Sequence, residues 1–137
     1  TVADLAKPGV RLALGDINAT AIGKAGVEIF KTYGVSEEIE DNVILRGATI
    51  NEVVTAMATG NADAALLTLD NAKGDQFDLI EIPVTNNSIL IALIGITNFT
   101  TQPELAQKFA DFVASDEGKA IFEKYGFPAY PNEKYMS

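Results

Sequence analysis

Over the first two-thirds of the chain, short apolar runs bounded by turn residues alternate with stretches whose apolar residues recur at helical spacing. Lys7-Pro8-Gly9 marks a turn, and Val10 to Leu14 follows as a buried strand closed by Gly15-Asp16. Ala19 or Thr20 opens a helix carrying Ile22, Val27, Ile29 and Phe30, which Tyr33-Gly34 stops with a glycine just past the end. Ser36 to Asp41 reads as an acidic connector and Val43 to Leu45 as a second strand. Thr49 then caps a helix with Val53, Val54 and Met57 that ends at Gly60, and Glu52 stands at the spacing of a capping box. Ala62 to Leu69, Leu79 to Ile82 and Ile89 to Ile96 predict three further strands, the last long and rich in branched residues.

This alternation predicts an α/β fold, a mostly parallel sheet flanked by helices and joined by right-handed crossovers. The last third departs from it. Pro103 to Ala114 and Glu117 to Tyr125 carry Leu105, Phe109, Phe112, Val113, Ile121 and Phe122 at helical spacing, so two helices close the chain around a capping break at Ser115-Asp116. Gly126-Phe127-Pro128 stops the second of them. Only Lys73 to Phe77 and Tyr130 to Ser137 look like a linker and a tail.

Length and composition narrow the chemistry. At 137 residues with 47% hydrophobic positions, the chain suffices for one full-size core and is far from the composition of disorder. It has no Cys and no His, which removes disulfides, thiolate nucleophiles, zinc fingers and imidazole bases together. A formal net charge of -9 repels nucleic-acid phosphates, so no nucleic acid is expected as a partner. The longest apolar run, Ile89 to Ile96, is well short of the roughly 20 residues of a membrane helix. The chain opens at Thr1 and not at Met, as a processed or excised chain would, and a signal peptide or lipid anchor ahead of it would then be lost.

Two helix starts are the candidate chemistry. Amides of a first helical turn point outward unpaired and carry partial positive charge, so they hold an oxyanion without a basic side chain. The segment from Gly15 to Gly23 and the segment at Thr49 and Ile50 both offer such a start, although ordinary helix starts share the pattern. Neither has a dinucleotide fingerprint or a Walker lysine. Glu37, Glu38, Glu40 and Asp41 lack the order of a calcium loop and read as a solvated connector, so no metal site is expected. No nucleophile stands beside a base, so an enzyme is not expected either.

Pro8-Gly9-Val10-Arg11-Leu12-Ala13-Leu14-Gly15-Asp16, with Gly23 opening a helix, resembles the start of the second lobe of the molybdate- and tungstate-binding proteins of ABC importers. The likeness continues through Thr49-Ile50-Asn51-Glu52-Val53-Val54, Gly60-Asn61-Ala62-Asp63-Ala64-Ala65 and Asp70-Asn71-Ala72. It is strongest from Ala106 to Phe127, where the chain is similar to the closing helices of type II solute-binding proteins in general. The resemblance implies one lobe of a type II periplasmic-binding-protein fold: residues 1–97 as the second-lobe α/β domain, 98–128 as closing helices that return to a first lobe, and 129–137 as a tail.

The resemblance also implies a function. The chain would be the substrate-binding component, or a fragment of it, of an ABC importer, with molybdate or tungstate as ligand and no cofactor. Its donors would be the amides of Ile22 and Ile50, with Asp16 and Thr49 beside them, and Thr68 would stand where the family has a tyrosine. Its partners would be the small oxyanion, a membrane permease, and either a missing first lobe or a second copy covering Leu105, Phe109, Phe112 and Phe122. Its place would be extracytoplasmic, in the periplasm or at the cell surface, with a membrane anchor in the full-length protein. Because Thr68 is shorter than Tyr and Ile17 replaces a proline, a receptor for phosphate, sulfate or a small organic acid stays open, as does the effector-sensing domain of a transcription regulator.

Overall fold

The computed structural model describes residues 1–72 and 76–135. They divide into two compact units, residues 1–90 and residues 91 onward.

The first unit is built on β1 (Leu12–Gly15), with β2 (Val43–Gly47) on one side and β3 (Ala64–Ala65) on the other, all parallel. Side chains of a strand point alternately to opposite faces, and β1 is buried on both. Leu12 and Leu14 pack with Ile29 and Phe30 of α1 (Ala21–Tyr33), Ile39 of α2 (Ser36–Asn42) and Val2. Ala13 packs on the other face with Val53 and Ala56 of α3 (Ile50–Ala58) and with Ala62. The register between β1 and β2 slips once, from Leu12 opposite Val43 to Ala13 opposite Leu45, and the skipped Ile44 is exposed. Helices therefore cover both faces of a parallel sheet, as the alternating pattern predicts.

Local signals set the helix ends. Thr20 caps α1 with its side chain accepting from Gly23 N, and Gly34 ends it at φ 67, a left-handed position glycine adopts without a Cβ clash. The sequence reading of Ser36 to Asp41 as a connector is corrected: Ser36–Asn42 is helical, with Glu37 and Glu38 in the first turn where the helix dipole favours carboxylates. One apolar side chain, Ile39, anchors this helix at 1% exposure. Asn42 at its end is buried, and its Nδ2 donates to Leu5 O and Lys7 O at 2.8 and 2.7 Å. Asn42→Ala leaves both carbonyls without that donor, so urea denaturation should show a loss of about 2 kcal/mol; an unchanged midpoint would refute that part for the side chain.

Two further readings are corrected. The third apolar segment pairs only at Ala64–Ala65, and neither Leu79 to Ile82 nor Ile89 to Ile96 forms a strand. An apolar run becomes a strand only where another strand offers a hydrogen-bonding edge. Among the described residues no such edge meets these runs, and every residue from Ile89 to Ile96 is exposed. The linker expected at Lys73 to Phe77 lies partly outside the described residues, as does the end of the tail at Met136 and Ser137.

At the amino end of the sheet, Arg11 and Asp63 lock the approaches to β1 and β3. The Arg11 amide donates to Asp63 Oδ2 at 2.9 Å and its guanidinium grips both carboxylate oxygens, with Nη2 to Oδ1 at 2.6 Å. These side-chain hydrogen bonds from Arg11 hold the Asp63 carboxyl down to about 2.

The second unit holds α4 (Pro103–Ala114) and α5 (Asp116–Lys124). Ser115 caps α5, its hydroxyl accepting from Gly118 N at 3.2 Å. Leu105, Phe109, Phe112 and Phe122 are all exposed. No helix among the described residues is long and apolar enough to cross a membrane.

Candidate oxyanion site

The carboxyl ends of three parallel strands share one edge of the sheet, and the loops that follow them carry every residue the sequence nominated. In open α/β sheets this is the edge where ligands bind. After β1 comes Asp16, whose Oδ1 accepts from the amides of Asn18 and Ala19 at 2.8 Å each. Its backbone oxygen accepts from Thr20 N and Thr20 Oγ1 at 3.0 and 2.9 Å. Asp16 thus folds the loop back on itself and presents α1 with its axis aimed out of the edge. The amide of Asp16 donates to Gly47 O at 2.8 Å, which ties this loop to the end of β2.

Thr20 Oγ1 satisfies the third amide of α1, that of Gly23, at 3.0 Å. The first two, on Ala21 and Ile22, have no hydrogen-bond partner among the described residues. Ile22 is therefore where the sequence expected it, a neutral donor at a helix start. At α3 the same holds for Ile50, whose amide also has no partner among the described residues. Thr49, at the N-cap, does not turn its side chain onto the helix. Its hydroxyl donates to Glu52 Oε1 at 3.1 Å while Glu52 Oε2 accepts from Ala48 N at 3.1 Å. The capping box the spacing suggests is thus replaced by a carboxylate clasp on Ala48 N and the Thr49 hydroxyl, which leaves the Ile50 amide without a partner among the described residues.

Thr68 lies beyond β3 and is half-buried. Its carbonyl accepts from the amides of Asn71 and Ala72 at 3.0 Å each, and its hydroxyl accepts from Asn71 Nδ2 at 2.9 Å. Sequence reasoning missed Asn71 and Glu52 as parts of this edge. The Glu52 clasp was within reach from its spacing to Thr49; nothing in the pattern marks an amide-to-hydroxyl contact in an irregular turn.

A cavity of about 220 Å3 opens against the flank of α1, lined by Leu14, Ile22, Gly26, Phe30 and Leu66, with Arg46 and Glu40 at its wall. Arg46 is paired with Glu40 and so neutralised. The cavity also borders Gly15, Ile17 and Gly23, so it reaches the loop after β1 and the start of α1.

The family model of the bacterial extracellular solute-binding proteins matches residues 1–128. The chain belongs to that family. Among relatives of this solute-binding protein, one from Haemophilus influenzae, named as a binding protein, is 28% identical over 125 residues, covering 90% of this chain and 51% of the relative. The molybdate-binding protein ModA of Mycobacterium tuberculosis is 25% identical over 127 residues, covering 91% of this chain and 47% of the relative. The chain thus spans about half the length of the curated relatives it matches. A solved substrate binding domain from Clostridium difficile, named for a molybdenum ABC transporter, superposes with a TM-score of 0.71 at 21% identity over 93% of this chain and 57% of that one. That superposition establishes the fold of this solute-binding chain as that of a lobe of a type II binding protein.

Proposed function

We propose that this chain is part of the extracytoplasmic receptor of an ABC importer and binds a tetrahedral oxyanion, molybdate or tungstate. The observation that carries the reading is the pair of partnerless first-turn amides, at Ile22 on α1 and at Ile50 on α3, at the carboxyl ends of neighbouring strands. Fixed neutral donors of this kind hold a fully ionised anion with little reorganisation and select it by size and by its lack of a proton to donate. The molybdate-binding name of the mycobacterial relative and the molybdenum transporter name of the solved neighbour support the same ligand class. The receptor would be non-catalytic. Residues 1–97 would serve as one lobe and 98–128 as helices returning to another. That other lobe would cover the exposed Leu105, Phe109, Phe112 and Phe122 and hand the loaded receptor to a membrane permease.

Isothermal titration of the complete gene product with molybdate, tungstate, sulfate and phosphate tests this. Saturable heat with molybdate or tungstate, and none with sulfate or phosphate at the same concentrations, is the expected result. Binding of phosphate or sulfate alone would replace the ligand and keep the receptor. Silence toward all four would overturn the oxyanion reading.

A further inference from the structure

We propose that the cavity beside α1 is a binding site for a small monocarboxylate with an apolar body, which Arg46 holds in exchange for Glu40. The inference does not depend on the oxyanion reading, since its donor is a side-chain cation and not a pair of backbone amides. Size and lining come first. An engineered cavity of about 150 Å3, walled by Leu, Ile and Phe, takes up benzene. The cavity here is larger, at about 220 Å3, and its walls are of the same kind, with Ile22, Val27, Phe30 and Leu66 among them. It has room for an apolar group of ring size plus one small polar group. A dianion would lose its hydration against such walls, whereas a monoanion can bury its body there and leave its charge at the rim.

Of the polar side chains on the wall, Ser36, Glu40 and Arg46, only Arg46 is positive. It stands opposite Leu14 in the parallel ladder, so its side chain leaves β2 on the face that α1 and α2 cover. Glu40 grips it at two points, with Arg46 Nε donating to Glu40 Oε1 at 3.3 Å and Nη2 to Oε2. The two partners differ in depth: the Arg46 side chain is 24% exposed and that of Glu40 is 61% exposed. Arg46 therefore needs a carboxylate at all times, while Glu40 regains most of its water when it lets go. Glu40 is also poorly placed to hold on. It lies in the last turn of α2, where the helix dipole disfavours a carboxylate, and Glu37 one turn back repels it. A ligand carboxylate offers the guanidinium the same planar pair of oxygens and adds a body for which the cavity has room. Glu40 is thus a stand-in for that carboxylate.

Isothermal titration of the complete gene product with benzoate and hexanoate tests it, with acetate, which lacks the apolar body, and benzyl alcohol, which lacks the charge, as controls. Saturable heat with benzoate or hexanoate, and none with either control at the same concentrations, is the expected result. Arg46→Gln should weaken that binding by at least about tenfold. Glu40→Gln should do the opposite and tighten it by about threefold, because the competitor for the guanidinium is gone. The Glu40 side chain is exposed, so the fold survives that exchange, and it decides alone should Arg46→Gln not fold. Silence toward both acids overturns the proposal, as does equal heat from benzyl alcohol. Binding that Arg46→Gln leaves intact would place the acid elsewhere, and unchanged or weaker binding in Glu40→Gln would remove the exchange; either result overturns the proposal too.

Discussion

Gly23→Ala is expected to destabilise the protein by about 3 kcal/mol, against the roughly 1 kcal/mol of stabilisation that helix propensity alone assigns to this exchange. The two effects have opposite signs, so the experiment decides between them. A Cβ built on Gly23 would stand 2.3 Å from Asp16 O and 2.6 Å from Gly15 O. Both are backbone oxygens of the loop that aims α1, and they cannot rotate aside as a side chain can. The helix start would have to lift off the end of β1, taking the amides of Ala21 and Ile22 with it. Urea denaturation should therefore show a clearly lower midpoint, and molybdate binding should fall in parallel. Gly26→Ala, one turn on, is the control: its Cβ would meet Leu66 Cδ2 at 3.0 Å, the far end of a flexible side chain. If Gly23→Ala proved as stable as the native protein, the close seat of α1 on its loop would be refuted.

Leu12→Ala should cost about 3 kcal/mol, within the range measured for leucines whose removal leaves a cavity. Leu12 is fully buried in the middle strand, with neighbours on both sides and the cluster of Ile29, Phe30 and Ile39 over it. Strand neighbours cannot close in on the space, because their spacing is set by ladder hydrogen bonds. Against a total stability of roughly 5–15 kcal/mol such a loss is large. Leu105→Ala, measured on residues 1–137 alone, removes the same atoms from a side chain 61% exposed there and should leave the urea midpoint nearly unchanged. Similar losses for the two would contradict the placement of the core in the first unit.

How legible this was in the sequence varies by element, for physical reasons. The strand at Leu12–Gly15 and the helix Ala21–Tyr33 announce themselves because local chemistry specifies them: an apolar run, a threonine cap and a glycine stop. The helix Ser36–Asn42 is hidden because a periodicity needs at least two apolar points and Ile39 supplies one. The runs Leu79 to Ile82 and Ile89 to Ile96 mislead in the other direction, since strand formation depends on a partner edge that no local pattern reveals. At the candidate site the free amides of Ile22 and Ile50 follow from where helices begin, which sequence gives well. The contact from Asn71 to Thr68 depends on which atom of an amide faces which oxygen, and that is settled only in the folded turn.

The run Ile-Leu-Ile-Ala-Leu-Ile-Gly-Ile from Ile89 to Ile96 is uncharged, rich in branched residues and open to solvent along its length. Segments of this composition stack readily into intermolecular cross-β ladders, because each copy offers the next the unpaired backbone it lacks itself. The formal net charge of -9 is then a colloidal safeguard, holding copies apart while their carboxylates are ionised. Acid and high salt both remove that repulsion, by protonation and by screening. The same eight residues that would serve as an internal strand once covered are, uncovered, the place where self-association of this chain would begin.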